Sequence, residues 1–276
     1  MDVFSNLVMI GECLLDVRRT TAFERAIAQT VKKNDVVLDV GTGSGIMAMF
    51  AARTGAKKVF AVEIAPDIVP ITRKNVAANH LENRIEVINN PAQDLTLPEK
   101  VDVVIMELLD TGLIAEQQAV VLNALRNNGI ITANTTLIPC RYQCACELVD
   151  YDFSFYGFQM PCIIQARNFA VEKRIQHALS PISIYDDINF SETINTKVDV
   201  RFDIPIEQNG KCNALVLKSR TFLSSEIKLW GTSDMNMPVI IPLTPRVVKK
   251  GTTQSITIQY EMSEGFSSFN AAFTQA

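Results

Sequence analysis

The stretch VVLDVGTGSGIMAMFAARTGAKKVFAVE, residues 36–63, predicts how the first half of the chain folds. Its first apolar run, Val36–Val40, ends in a glycine-rich turn, and an alanine-rich segment of helical character follows. A second apolar run, residues 59–62, ends at Glu63. Strand, glycine turn, helix and strand in this order are typical of a βαβ unit with two parallel strands. In such sheets a ligand binds beyond the carboxyl ends of the strands, next to the helix N-terminus.

The glycine turn and the acid that follows it favour a nucleoside ligand. Gly41, Gly43 and Gly45 permit positive φ angles and let a ligand approach the main chain closely. Glu63, 20 residues after Gly43, is placed to accept hydrogen bonds from a ribose diol. The alternative is a tight turn in a domain without a ligand. Turn, helix and Glu63 occur together in one βαβ unit, which favours the binding site.

The turn does not match either of two common phosphate-binding loops. Ile46 stands where a dinucleotide loop, G-x-G-x-x-G, requires its third glycine. The chain also has no G-K-[ST] sequence, so a phosphate-cradling P-loop is excluded. The pattern from Asp39 through Thr42 to Gly45 suits a ligand with an amino-acid moiety in place of a pyrophosphate. Asp39 can either orient the loop or receive an ammonium group.

The rest of the first half continues the alternation of strands and helices. Apolar periodicity predicts helices at residues 23–31, 66–79 and 116–126, and strands at residues 84–89, 101–106 and 129–133. This alternation indicates a parallel sheet with helices on both faces. The strand at 101–106 ends at Glu107, so this acid is predicted at the ligand edge of the sheet.

The pattern changes near Pro139. Apolar and polar residues alternate strictly over residues 197–206 and again over residues 256–262. Asn209-Gly210 predicts a type I′ hairpin after the first of these runs. The second half is therefore predicted to be antiparallel β-sheet with one face in water. The predicted domains are residues 1–139 and residues 140–276.

An aromatic cluster at residues 151–158 has two interpretations. Its members are Tyr151, Phe153, Phe155, Tyr156 and Phe158. They could belong to the core or form an arm that packs on another subunit, and large aromatic side chains are more often core.

Composition limits the partners and the compartment. The 276-residue chain has a formal net charge of −4, so it has no basic excess for binding nucleic acid. No run approaches the ~18 apolar residues of a membrane-spanning helix, and the N-terminus lacks the basic region of a signal peptide. Six cysteines do not suggest a disulfide framework, and His80 and His177 lack metal-ligand spacing. We predict a cytoplasmic protein that binds no nucleic acid, membrane or metal.

Five stretches of the chain resemble one family of enzymes. VLDVGTGSGI with VFAVE resembles the S-adenosylmethionine loop of the class I methyltransferases. Four further stretches are similar to the protein arginine methyltransferase family: CLLDVRRT at residues 13–20, FAARTGAKKVFAVE, KVDVVIMELLDTGLIAE at residues 100–116, and LIPCRYQCACELV at residues 137–149. The match covers about residues 10–150. It implies a Rossmann-like class I methyltransferase sheet followed by an antiparallel β-barrel-like domain, within the α/β class.

The resemblance implies S-adenosyl-L-methionine as the cofactor and assigns its contacts. Arg19 matches the arginine that grips the cofactor carboxylate, and Glu63 matches the acid that binds the ribose. Gln93 stands where the family places an acid that reads the adenine amino group, with Ala92 as the adjacent backbone contact and Asp94 as the alternative register. The predicted cofactor-binding residues are Arg19, Asp39, Gly41, Thr42, Gly43, Gly45, Glu63, Ala92 and Gln93.

Glu107 and Glu116 bracket the sequence LLDTGLIA, so a loop can bring their two carboxylates face to face. Two carboxylates repel each other unless a cation lies between them, and a guanidinium has the planar donors that fit. By spacing alone, Glu116 could equally be an acid at a helix N-terminus and Glu107 a solvated residue at a strand end. By resemblance, the two glutamates are the family's clamp for substrate arginine, and they are the predicted catalytic residues. An arginine-containing protein substrate and a possible homodimer are implied in the same way.

The match fails at the family's Thr-His-Trp motif, which helps to close the substrate pocket. The nearest residues here are Met235, Asn236 and Met237. The loop between the two glutamates also has no aromatic residue. Two alternatives therefore stay open, namely a methyltransferase that acts on RNA or a small amine, and a non-catalytic partner that binds the cofactor.

Overall fold

The structure is a computed structural model that describes residues 7–274, without the side chains of residues 167–169. The outer ends of the two predicted domains, residues 1–6 and 275–276, lie outside the described residues. A parallel sheet flanked by helices is followed by antiparallel sheets. This confirms the predicted α/β class, with a Rossmann-like sheet first and a curled antiparallel half after it.

The parallel sheet has the strand order β3-β2-β1-β4-β5. Its strands are β1 at Val36–Val40, β2 at Lys58–Glu63, β3 at Ile85–Asn89, β4 at Val103–Met106 and β5 at Thr136–Ile138. β1 pairs with β2 on one side and with β4 on the other. All five residues of β1 are buried, because helices cover both faces of the sheet. The strand order reverses at β1, so the carboxyl ends of β1 and β4 border the crevice where such sheets bind ligands.

The helices of the first half follow the chain order βαβ around this sheet. They are α1 at Leu7–Leu15, α2 at Val17–Thr30, α3 at Ile46–Thr54, α4 at Val69–Ala78 and α5 at Gln118–Asn127. Asp16 caps α2, because its carboxylate accepts the backbone N–H of Arg19 at 3.0 Å. Short 3₁₀ turns lie at Ala92–Asp94, Thr111–Leu113, Arg167–Arg174 and Phe266–Ser268.

The second half is antiparallel, as predicted. Its strands are β6 at Arg141–Tyr151, β7 at Ser154–Phe155, β8 at Phe158–Gln159, β9 at Ile164–Gln165, β10 at Ile175–Ala178, β11 at Ser183–Asn189, β12 at Lys197–Pro205, β13 at Gly210–Phe222, β14 at Lys228–Trp230, β15 at Val239–Val248, β16 at Thr253–Glu261 and β17 at Asn270–Phe273. β6, β13 and β15 are central in a seven-stranded sheet, and β12, β16 and β17 form a three-stranded one. On β16, Ile256, Ile258 and Tyr260 are buried, as their alternation predicts.

The two halves share one hydrophobic core. Buried side chains of the parallel sheet, such as Leu38 and Ile105, belong to the same cluster as Leu217 on β13 and Ile258 on β16. The glutamate-bearing loop after β4 runs along this junction. The antiparallel half therefore lies against the ligand edge of the parallel sheet. The predicted boundary between two domains, after residue 139, stays a prediction.

The hairpin predicted at Asn209-Gly210 is wrong. β12 pairs with β16, whereas β13, which begins at Gly210, pairs with β6 and β15. The side chain of Asn209 instead accepts the backbone N–H of Lys250 at 2.8 Å. It therefore supports the turn between β15 and β16. Pairing between distant strands has overridden the local turn signal.

The strand predicted at residues 129–133 is also wrong, because these residues terminate α5. Gly129 has a φ of +73°, and the N–H groups of Ile130 and Ile131 both bond the Leu125 carbonyl, at 2.9 and 3.1 Å. This is how a helix end satisfies its last carbonyls. The fifth strand begins later, at Thr136.

The aromatic cluster at residues 151–158 divides between the two interpretations. Tyr151 and Phe153 are buried in a second small core with Val216 and Ile240. Tyr156 and Phe158 lie beyond them on the β7–β8 hairpin and are exposed. The cluster is therefore core at its base and surface at its tip.

Candidate functional site

The glycine turn adopts the strained backbone that its sequence predicts. Gly41, Gly43 and Gly45 have φ angles of +68°, +52° and +86°. A Cβ on Gly41 would lie 2.7 Å from Cδ2 of Leu108, so a side chain there would strain the backbone and force Leu108 to shift. The N–H groups of Gly41 and Thr42 bond the Val62 carbonyl at 2.9 and 3.0 Å. These bonds fix the turn against the end of β2.

Asp39 orients the loop, which is one of the two roles predicted for it. Its carboxylate accepts a hydrogen bond from the Thr42 hydroxyl at 2.6 Å. It accepts a second from the backbone N–H of Ala48, in the first turn of α3, at 3.1 Å. The side chain is buried, and burial raises the pKa of the Asp39 carboxyl to about 7, although both hydrogen bonds oppose the shift. Asp39 thus joins the strand, the turn and the helix.

Glu63 also holds the turn from the end of β2. Its carboxylate accepts the backbone N–H groups of Gly43 and Ala65, each at 3.0 Å. Each oxygen keeps a further lone pair, because a carboxylate can accept about four hydrogen bonds. From α4, the Thr72 hydroxyl donates to the Gly43 carbonyl at 2.6 Å. Sequence reasoning missed Thr72, which carries no motif of its own.

An open cavity lies above this turn. It brings together the predicted residues Arg19, Asp39, Gly41, Thr42, Gly43, Glu63, Ala92, Gln93, Glu107 and Glu116. Gly45 lies beneath the wall, where it caps the N-terminus of α3. Asp94 is exposed and lies outside the cavity, so the geometry favours Gln93 over this alternative register. The individual roles of these residues stay predictions.

Arg19 and Glu107, which both line the cavity, form a buried ion pair. Nη1 of Arg19 donates to Oε2 of Glu107, and Nη2 donates to the Cys13 carbonyl at 2.9 Å. The two side chains are 4% and 12% exposed. Burial raises the pKa of the Glu107 carboxyl above its ordinary value, and the Arg19 guanidinium opposes that shift. The buried Nε of Arg19 has no hydrogen-bond partner among the described residues.

Asp110 folds the loop that carries the two glutamates. Its carboxylate accepts the backbone N–H groups of Ala115 and Glu116, at 2.9 and 3.1 Å. Burial raises the pKa of the Asp110 carboxyl to about 6. The predicted helix start at Glu116 is wrong, since α5 begins at Gln118 and Glu116 belongs to the loop. Glu116 thus lies on the cavity wall with Glu107.

The antiparallel half holds this loop from the other side. The hydroxyl of Tyr260 donates to the Gly112 carbonyl at 2.7 Å, and the hydroxyl of Thr111 donates to the Met237 carbonyl at 2.6 Å. The hydroxyl of Tyr142 lies 2.7 Å from the Asp110 carbonyl. The glutamate loop is therefore held by hydrogen bonds that join it to the second half of the chain. Long-range contacts of this kind leave no pattern in the local sequence.

A second loop, residues 231–237, reaches the cavity where the family motif is missing. Asp234 lines the cavity, immediately before the three residues that stand in place of Thr-His-Trp. Its backbone N–H donates to the Asp16 carboxylate at 3.1 Å, which links this loop to the N-terminus of α2. Sequence reasoning missed Asp234, and its position beside the departing motif was the signal that could have found it.

The described residues, 7–274, contain no group of three metal-ligating side chains that could hold a metal ion. All six cysteines, which lie in this part of the chain, are free thiols. Cys13 lies in α1 on the cavity wall, and burial raises the pKa of its thiol to about 11. Within the same residues no helix is long and apolar enough to cross a membrane.

The chain is similar to a methyltransferase family model over its first half and to known proteins over most of its length. Residues 19–143 match the family model described as ribosomal protein L11 methyltransferase (PrmA). The chain is similar to an uncharacterized protein of Methanocaldococcus jannaschii, with 34% identity over 86% of each chain. It is also similar to protein arginine N-methyltransferase 1 of Dictyostelium discoideum, with 30% identity over 78% of this chain and 65% of that relative.

The fold is shared with a solved arginine methyltransferase. The Trypanosoma brucei PRMT1 enzyme-prozyme heterotetrameric complex with AdoHcy superposes with a TM-score of 0.75 and 21% sequence identity. The superposition covers 89% of this chain and 85% of that chain. This chain spans 65% of the Dictyostelium discoideum relative and 53% of a Caenorhabditis elegans protein arginine N-methyltransferase 1. These two arginine methyltransferases are therefore longer than this chain.

Proposed function

Because the chain belongs to the S-adenosylmethionine-dependent methyltransferases, in one family with the uncharacterized Methanocaldococcus jannaschii protein, we propose that it methylates protein arginine. The acceptor would be a guanidino nitrogen of an arginine side chain. One observation supports this most strongly. One cavity is lined both by the glycine turn with Glu63 and by the two glutamates that bracket the loop after β4, Glu107 and Glu116.

The residues of the cavity fit the proposed cofactor, S-adenosyl-L-methionine. Glu63 would accept hydrogen bonds from the ribose diol with its remaining lone pairs. The side-chain carbonyl of Gln93 would accept a hydrogen bond from the adenine amino group. The unsatisfied Nε of Arg19 is a donor for the cofactor carboxylate. The bound cofactor supplies a methyl group on a positively charged sulfur. The residue types on the wall therefore match the three polar parts of the molecule.

In this proposal, Glu107 and Glu116 bind and orient the acceptor guanidinium. Their negative charge would hold its positive charge on the nitrogens that they contact, so the remaining nitrogen is the better nucleophile. That nitrogen would attack the methyl carbon in line as the carbon–sulfur bond breaks and sulfur retains the electron pair. The methylated nitrogen would then release a proton to solvent or to a glutamate. Positioning and fixed charge would supply most of the acceleration.

The test is transfer of a labelled methyl group from S-adenosylmethionine to an arginine-rich peptide and to RNA. We expect label in the peptide, and mass spectrometry should find it on a guanidino nitrogen. Label in RNA or in a small amine instead would support the second alternative and contradict arginine specificity. Cofactor binding by calorimetry, without turnover on either acceptor or on a cell lysate, would support the non-catalytic alternative.

We also propose that the chain forms a homodimer through the β7–β8 hairpin. Tyr156 and Phe158 at its tip are 99% and 70% exposed, and Leu15 and Val17 form a second exposed apolar patch where α1 meets α2. The hairpin tip of each copy would cover the Leu15–Val17 patch of its partner, and a two-fold axis permits both contacts at once. The base of the hairpin is held firmly, because Arg174 stacks on Phe155 at 4.2 Å.

Replacing both Tyr156 and Phe158 by serine is expected to convert the dimer into a monomer. The substitutions remove two large apolar side chains from the interface and leave the buried base of the hairpin intact. Light scattering coupled to gel filtration measures the mass. Val247→Ser, at a side chain that is 79% exposed on β15, is the matched control and should remain dimeric. A wild-type protein that is monomeric at high micromolar concentration would contradict the proposal.

A further inference from the structure

A turn of the antiparallel half is bonded to the end of the glutamate loop. This turn follows β16 and comprises residues 262–265. The backbone N–H of Ser263 donates to the Leu113 carbonyl at 3.0 Å, and that of Gly265 donates to the Ile114 carbonyl at 2.8 Å. Consecutive carbonyls of the loop are therefore held by one short turn.

The main chain of Glu116 is held from both sides. Its N–H donates to the Asp110 carboxylate at 3.1 Å, and its carbonyl accepts a hydrogen bond from the Ser263 hydroxyl at 2.8 Å. The next residue, Gln117, donates from Nε2 to the Ser263 carbonyl at 3.3 Å. Both Glu116 and Gln117 line the cavity. Because both polar groups of its backbone are bonded, Glu116 directs its Cα–Cβ bond from a fixed point of the wall.

Ser263 and Leu113 both have a left-handed backbone that is unfavourable for them. Their φ angles are +69° and +55°, although neither is glycine or asparagine. Such residues persist only where the surroundings determine their conformation, and they are concentrated at functional sites. The Leu113 side chain is fully buried, and this burial offsets its strain. Ser263 is half-buried and has no apolar side chain, so the hydrogen bonds that it makes must offset its own strain.

We propose that Ser263 is a positioning residue for methyl transfer, which acts on the acceptor through Glu116. The inference rests on the proposed function and extends it. Ser263 belongs to the antiparallel half and contacts Glu116 behind the cavity wall, so it fixes where the Glu116 side chain enters the site. A small displacement of a group that orients the acceptor is costly when the reacting atoms must be aligned. The strained turn thus keeps the acceptor in line with the methyl group.

The test is a double-variant cycle on the transfer of a labelled methyl group to an arginine-rich peptide. Ser263→Ala removes the hydroxyl that bonds the Glu116 carbonyl and keeps the backbone N–H that bonds Leu113. We expect kcat/KM for the peptide to fall by about tenfold, the scale of one hydrogen bond. In the Glu116→Gln background the same change should lower kcat/KM by at most about twofold, because the side chain that Ser263 positions has already lost its charge.

Two further variants separate positioning from stability. Ser263→Gly adopts a positive φ without strain, so it should unfold at no lower a temperature than Ser263→Ala and still lose the same activity. A purely structural role would make activity follow stability. Ser268→Ala is the matched control, because the Ser268 hydroxyl bonds the Gly265 carbonyl, at 2.9 Å, in the same segment. It should keep the kcat/KM of the wild type, and S-adenosylhomocysteine affinity should be unchanged in all these variants.

Three results would contradict these ideas in distinguishable ways. If Ser263→Ala keeps full activity while Glu116→Gln loses it, the inference about Ser263 is wrong and the proposed function stands. If Ser263→Ala lowers kcat/KM by the same factor in both backgrounds, Ser263 does not act through Glu116, and the inference is wrong again. If the wild type transfers no methyl group to the peptide, the proposed function itself is contradicted, and the role of Ser263 falls with it.

Discussion

Glu116→Gln is expected to lower kcat/KM for an arginine-containing acceptor by about 10²–10³-fold, the scale seen when one preorganised electrostatic contact is removed. The substitution removes a negative charge from the cavity wall and preserves the shape of the side chain. The loop should keep its fold, because Asp110 binds the backbone N–H of Glu116 and Ser263 donates to its carbonyl at 2.8 Å. Steady-state kinetics with labelled cofactor measures the loss.

Cofactor binding distinguishes this effect from unfolding. S-adenosylhomocysteine affinity of Glu116→Gln should lie within about twofold of the wild type, since the variant leaves the glycine turn untouched. Glu82→Gln, an exposed glutamate before β3, is the matched control and should keep full activity. Glu107→Gln is a less specific probe, because Glu107 also holds Arg19. Normal turnover by Glu116→Gln would end the assignment of a glutamate clamp.

Arg19→Met is expected to lower the free energy of unfolding by about 3 kcal/mol near pH 8, because it leaves the Glu107 carboxylate buried without its cation. In the variant the pKa of Glu107 should rise further above its ordinary 4.5. Its folded state would then bind a proton at pH values where the unfolded chain has released it. The stability of the variant should therefore decline as the pH rises above 4.5. Denaturant unfolding at pH 5 and pH 8 measures this difference.

A double variant supplies the control for the ion pair. Arg19→Met with Glu107→Leu replaces both partners by apolar groups, so no charge is left buried, and most of the lost stability should return. We expect no methyl transfer by Arg19→Met or by the double variant, because each lacks at least one residue that lines the cavity. If Arg19→Met is as stable as the wild type at pH 8, the pair contributes nothing to folding. If the double variant is the least stable, the loss comes from packing and not from charge.

Features that depend on neighbouring residues were predictable from the sequence. The glycine turn, the helix after it and Glu63 lie within 28 residues, and their geometry follows from glycine φ angles and apolar runs. The alternation on β16 likewise gives the buried face of that strand directly. The predicted residues that line the cavity were found because local motifs carry them.

Features that depend on distant partners were not predictable. Asn209-Gly210 has the composition of a hairpin, yet β12 pairs with β16, and the first register pair joins Lys197 to Glu261. Asp234 reaches Asp16 across 218 residues of sequence. Asp110 is visible in the sequence, but its function depends on a loop shape that Tyr260 and Thr111 help to set. In each case a tertiary contact decides between conformations that the local sequence leaves open.

The hydrogen bonds from Tyr142, Thr111 and Tyr260 have a consequence for how this protein can be varied. The loop that would receive the acceptor begins and ends in the parallel half, but hydrogen bonds with the antiparallel half help to hold its shape. The two halves are therefore not interchangeable modules. A chimera that exchanges the antiparallel half must bring its own version of residues 110–117, and a new acceptor preference would arise from paired changes on both sides of the junction.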